Sequence, residues 1–238
     1  SILSRIRWGY RTLLLSPWMP PSEDKALKQA MRTLSRFDYS AVRKARPLHR
    51  RLLLCLLPRL DGSVRSLVAF TMWSFARATM CRLGELARPA SSSLPVLRSQ
   101  LLFNEPAGYF VFFHVYPPKS NKHGRKAPYA VVSSKNSGLA FSCLRRLLHV
   151  VHRSSPASAL LFPAVCPRTD QVLRDRSFSV ADLVAWLRVR LQLAAIPAAS
   201  EYSGHSARRG GYCDLAPHVP APLLLVQGHW APGSLTPE

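Results

Sequence analysis

The stretch DGSVRSLVAFTMWSFARATM, residues 61–80, constrains the fold more than any other part of the chain. Leu67, Phe70, Met72, Trp73 and Phe75 leave it apolar nearly all round, so it reads as a helix buried in a core. Helical patterns flank it, LHRRLLLCLLPRL at 48–60 before and CRLGELAR at 81–88 after. YFVFFHVY at 109–116 is aromatic and β-branched and reads as a strand. The basic turn PPKSNKHGRK and a returning strand, APYAVV, complete an antiparallel hairpin. Four further helices are expected near residues 137–153, 179–195, 203–216 and 221–230. Helices, then a small sheet, then helices again make the chain α+β and mainly α.

Residues 1–45 read as a helix, a break at Pro20 and Pro21, and a second helix near SEDKALKQAMRTL. Ser22 with Glu23 and Asp24 suits that second helix start, with a capping side chain and acids in the first turn. RKARPLHRR at 43–51 is a basic run carrying a proline, and a domain boundary is expected there.

Charge narrows the function. Lys and Arg number 33 against 12 Asp and Glu, a net charge of +21. Such an excess repels itself in the folded state and implies an anionic partner. A nucleic acid fits best, because its phosphates bind Lys and Arg with release of counterions. Five scattered cysteines without a C-x-x-C pair argue against a disulfide framework and a zinc ribbon, so an intracellular, reduced setting is expected. LLLCLLP at 52–58 stops far short of a membrane span and is flanked by arginines. No membrane, small-molecule substrate, metal or cofactor is expected. Asp214 and Glu201 read as isolated acids, which argues against a two-metal nuclease.

A basic site without metal can still transfer a phosphoryl group. It needs positive donors on the non-bridging oxygens, a general acid for the leaving 5′ oxygen and a nucleophile. Arginine serves the oxygens best, with two parallel bonds from one permanently charged fork. Four segments carry a resemblance at this point. ATMCRLGELARP at 78–89 resembles the first arginine box of tyrosine recombinases, the phage integrase family, and GHSARRGGYCDLA at 204–216 resembles their His-x-x-Arg box, especially its Cre-like form. VQGHW at 226–230 resembles the turn carrying a third His or Trp, and PPKSNKHGRKAPYAVV sits where the family places a catalytic lysine.

The resemblance implies an integrase-like catalytic domain over 46–238, with 1–45 as the C-terminal part of a helical DNA-clamping domain. Arg82 would bind the scissile phosphate and Glu85 would hold the site together through a hydrogen bond. His205 and Arg208, at i and i+3, would present to the same phosphate, with Arg209 a phosphate clamp or a solvated charge. In the hairpin, Lys119 takes the general-acid place, Lys122 and Lys126 are its rivals, and Arg125 joins them as a DNA contact. At the third box Trp230 is preferred over His229, which stays beside it as a supporting residue.

One element of the pattern is missing. The family nucleophile, a tyrosine, would stand at about Glu238 or just past it, and Tyr212 lies within the second box and does not match. Either the sequence stops just short of the nucleophile, which its abrupt ending favours, or the lineage has lost the tyrosine and kept the fold for binding. The implied function is site-specific recombination or integration through a 3′-phosphotyrosyl intermediate, by a tetramer assembled on paired sites. The alternative is an inactive DNA-binding module. The box forms look like those of DIRS-type or Crypton-type mobile elements, with a nuclear location if the source is eukaryotic. A type IB topoisomerase has related chemistry but suits the hairpin and the GHW turn less well.

Overall fold

Two side chains from different parts of the chain start the central helix. Ser63 caps its first turn by accepting from the Ser66 amide at 3.1 Å, and the Asp170 carboxylate accepts from the Val64 and Arg65 amides at 2.7 and 2.9 Å. Amides of a first turn have no partner within the helix, so acceptors at this end are stabilising. The computed structural model describes residues 45–92, 94–114, 127–132 and 138–228, all within the unit Ala45–Glu238. The first 44 residues of the expected clamping domain and the basic turn of the hairpin lie outside the described residues.

In chain order the elements are α1 (Arg50–Leu56), α2 (Val64–Thr79), α3 (Leu83–Leu86), β1 (Leu101–Asn104), β2 (Tyr109–His114) and β3 (Ala127–Val132). They are followed by α4 (Gly138–Val151), β4 (Pro163–Val165), β5 (Val172–Ser177), α5 (Val180–Leu193), α6 (Ser206–Leu215) and α7 (Ala221–Gln227). The expected α+β, mainly helical class is what the structure has. Strands β1, β2 and β3 form an antiparallel sheet in that order, with Leu101 opposite Phe112 and Phe110 opposite Val131. A second antiparallel pair joins β4 to β5, with Val165 opposite Val172. The sequence reading anticipates the β2–β3 hairpin but neither β1 nor the β4–β5 pair. LLFN and PAV are too short to show a period, and VLRDRS is half charged.

Helix α2 is enclosed, as its composition predicts: Phe70, Met72, Trp73 and Phe75 are all fully buried. Phe75 meets three aromatic partners, stacked on Phe110 at 5.3 Å and edge-on to Phe112 and Phe162 at 5.1 and 5.3 Å. These contacts tie the helix to β2 and to the residue before β4. Trp73 Nε1 donates to the Leu183 carbonyl at 3.2 Å, so α5 covers another side. Each such large side chain contributes about 2–3 kcal/mol by leaving water.

A remaining side of α2 takes α6, by two devices. The first is the Gly210–Gly211 pair: a Cβ at Gly210 would overlap the Leu48 carbonyl oxygen, and one at Gly211 the Arg77 carbonyl oxygen. The second is Asp214, which the sequence reading takes as isolated and the structure shows to be a junction. Its Oδ1 accepts from His49 Nδ1 at 2.7 Å, and its Oδ2 accepts from the Arg50 amide at 2.9 Å and from Arg77 Nε at 3.0 Å. One carboxylate thus joins the start of α1, the last turn of α2 and α6. Its partners come from 137 to 165 residues away in sequence, which is why the acid looks solitary in the linear chain. Burial opposes the ionised form of Asp214, but the bonds from His49, the Arg50 amide and Arg77 outweigh it and hold the carboxyl below its ordinary value. Glu201 is not solitary either, since it faces Arg46 at 3.4 Å.

Two outcomes follow from this seam. Gly210→Ala should lower stability to urea by about 3 kcal/mol, because the obstacle is backbone and cannot swing aside. Asp214→Asn should lower it by about 2 kcal/mol at neutral pH. A depressed carboxyl contributes its stability above the unfolded value and loses it as pH falls. The difference between Asp214→Asn and the unsubstituted protein should therefore shrink below about pH 4. A difference that stays constant down to strongly acidic pH would show that the ionised carboxylate is not the source.

Candidate functional site

The charged residues of the first and second sequence boxes lie on elements that α2 and α6 bring together. Arg82 directly precedes α3, a single turn that follows the buried end of α2. Its amide donates to Glu85 Oε2 at 2.9 Å and its guanidinium Nη1 donates to Glu85 Oε1 at 3.0 Å. Glu85 is buried while the Arg82 side chain is 45% exposed, so the carboxylate is a fixed base that holds a cation open to solvent.

His205 is the residue ahead of α6, and Arg208 lies in its first turn. Arg208 is buried and donates from Nη2 to the Gly228 carbonyl, just past α7. The α6 entry sits directly against α3: a Cβ at Gly204 would stand 3.8 Å from Leu83 Cβ and 3.2 Å from Val180 Cγ1. Gly204 and Leu83 are the chain neighbours of His205 and Arg82, so the two boxes meet across this contact.

The electrostatics agree with the packing. Burial lowers the pKa of His205 first, and the positive charges of Arg82 and Arg208 lower it further, with Glu85 pulling the other way. One imidazole therefore feels both arginines and the carboxylate that holds one of them. Kept largely neutral near pH 7, it can donate one hydrogen bond and accept another. The arrangement suits a small tetrahedral anion: two guanidiniums held from behind by protein acceptors, with an uncharged imidazole between their fields.

Other candidates divide. Arg209 is half-buried and its Nη1 donates to the Ala45 carbonyl at 2.7 Å, so in this structure it anchors the chain where the described residues begin. Lys119, Lys122, Arg125, Lys126, His229 and Trp230 lie outside the described residues. Among the described residues no three His, Cys, Asp or Glu side chains group as metal ligands. Sequence reasoning missed the Asp214 junction and the role of Gly210 and Gly211. Two glycines inside a helix, where each weakens it relative to alanine, are the signal that could have revealed the close approach.

The field on His205 can be measured. Its NMR titration should give a pKa below 6.5, and Arg82→Gln should raise it, since a positive charge is removed and Glu85 loses its partner. Inorganic phosphate at the site should raise it too. A His205 titration that neither change moves would separate the histidine from the two arginines.

No family model matches the chain, and no curated protein matches it in sequence. A solved structure similar to it in fold is XerH site-specific recombinase bound to difH substrate, in a pre-cleavage complex. That likeness has a TM-score of 0.53 at 13% identity and covers 78% of this chain and 47% of that chain. The chain thus spans about half the length of that recombinase. Mostly helical with a small antiparallel sheet, the described fold resembles a tyrosine recombinase catalytic domain.

Proposed function

We propose that this chain is the phosphate-binding catalytic portion of a tyrosine-type DNA recombinase. The observation that carries the reading is the contact of Gly204 with Leu83, which sets the start of the helix bearing Arg208 beside the turn bearing Arg82, in a fold like that of a site-specific recombinase. The net charge of +21 supports double-stranded DNA as the substrate.

In this reading the two guanidiniums hold the non-bridging oxygens of one phosphodiester, where charge gathers as the phosphorus becomes five-coordinate. Glu85 keeps Arg82 in place, and the Gly228 carbonyl does the same for Arg208. His205 adds a neutral donor. A tyrosine hydroxyl gives up its proton to solvent and its oxygen attacks phosphorus, the bond to the 5′ oxygen breaks, and Lys119 gives that oxygen its proton. The 3′-phosphotyrosyl bond is then attacked by a partner strand's 5′ hydroxyl, which restores the phosphodiester and frees the tyrosine. Trp230 at the third box would donate a hydrogen bond to the phosphate. The nucleophile is assigned to a tyrosine following residue 238, and assembly to a tetramer on paired sites. A mobile element is the proposed setting.

The test uses the protein continued past residue 238 to include that tyrosine. Arg208→Ala should lower strand cleavage by about 10²–10³-fold or more, as loss of one oxyanion donor does, while most DNA affinity remains. Cleavage should persist in EDTA. DNA affinity should fall by about 10³-fold or more between 50 and 200 mM salt. Unimpaired cleavage by Arg208→Ala would remove the second box from the reaction, and a flat salt response would remove the role given to the positive charge.

A further inference from the structure

A second group of cations lies at the end of α4 and shares no residue with the Arg82–His205–Arg208 site. Arg98, just ahead of β1, donates from Nη1 to the Ser155 carbonyl at 3.5 Å. Arg174, on β5, donates from Nη1 to the Ser155 hydroxyl at 2.8 Å. The hydroxyl is itself fixed, donating to the Val151 carbonyl at 3.2 Å. Both guanidiniums are felt by His152, a buried imidazole whose Nε2 donates to the Leu161 carbonyl at 2.9 Å. Three chain segments thus place two arginines on one serine.

No carboxylate answers them. Among the described residues neither Arg98 nor Arg174 has an acidic partner, and Asp175, the sequence neighbour of Arg174, pairs with Arg176 instead. Arg98 Nε and His152 Nδ1 are buried and without hydrogen-bond partners, so the cluster is incompletely satisfied by the protein alone. Carbonyls at a helix end attract a cation, but Arg98 suffices for the Ser155 carbonyl. A second guanidinium beside it is a surplus that an external anion would offset.

The surplus continues along the helix. Arg146 and His149 are exposed and three residues apart, which sets them on one outer face of α4, and the exposed Arg153 lies in the turn between the end of α4 and Ser155. A single phosphate would need only the Arg98–Arg174 pair, whereas a row of cations matches a chain of phosphates. We propose that Arg98, Arg174 and Ser155, with the outer face of α4, form a second binding site for the phosphate backbone of a nucleic acid. Arg98 and Arg174 grip one phosphodiester from two sides, and Arg153 and Arg146 meet its neighbours along the strand. The proposal uses no role given to Arg82, His205 or Arg208, so it and the recombinase reading can fail separately.

The experiment measures affinity for a DNA duplex of about 30 base pairs against salt, where each phosphate contact contributes about 0.9 to the slope. Arg98→Gln with Arg174→Gln, which share one phosphodiester, should reduce the slope by about 1, and Arg146→Gln with Arg153→Gln, which meet two and whose exposed positions keep the fold safe, by about 2. The same charge change at Arg46 and Arg59 should leave the slope within a few tenths. Slopes unchanged by both test pairs, or lowered equally by the control pair, would overturn the proposal. So would an unchanged slope with a lowered melting temperature, which would make Arg98 and Arg174 a helix cap alone. Inorganic phosphate provides the last arm. If it raised the melting temperature only when Arg98 and Arg174 were present, while the DNA slope stayed fixed, the site would hold a free anion and the backbone assignment would fall.

Discussion

A helix without a solvent-facing side has to be covered all round, and α2 is such a helix. Phe70, Trp73 and Phe75 point in different directions and are all fully buried, so sheet, hairpin and helices must approach from each of them. That coverage is supplied by β2, by the residue before β4, by α5 and by α6. The last of these covers matters most for function. Because α6 must lie close against the end of α2, the helix that starts at His205 is brought beside the turn that starts after Arg82. The candidate site is a consequence of how one apolar helix is enclosed.

Close approach alone would leave α6 free to slide, and polar bonds restrict it. Gly210 and Gly211 let two backbones touch without side chains between them, while Asp214 fixes the register by reaching three groups from two other helices. Arg77 belongs to α2 yet is charged and almost fully buried, which is tolerable only because this carboxylate meets it. The same logic governs the candidate site. Two arginines near one histidine repel one another, and each is steadied by a protein acceptor: Glu85 for Arg82, the Gly228 carbonyl for Arg208.

Much of this could be read from the chain before its fold was known. The apolar run at 64–79 and the aromatic strand at 109–114 are local patterns, set by neighbours within a few residues. Strands β1, β4 and β5 were not legible, since four, three and six residues carry too little periodicity to be distinguished from loop. The part Asp214 plays was not legible for a different reason. Its partners are remote in sequence, and no local pattern marks an acid as the point where His49, Arg50 and Arg77 meet.

By itself the sequence determined which of the long segments from residue 48 onward are helical, that the aromatic run at 109–114 is extended, that one helix must be interior, and that the chain carries a large positive charge. These follow from side-chain chemistry and spacing along a single element. Only the tertiary structure decided which charges share a neighbourhood: Arg82 and Arg208 around His205, and Arg98 and Arg174 around Ser155. Their convergence depends on distances between elements, and those are set by packing around α2, which linear order does not encode.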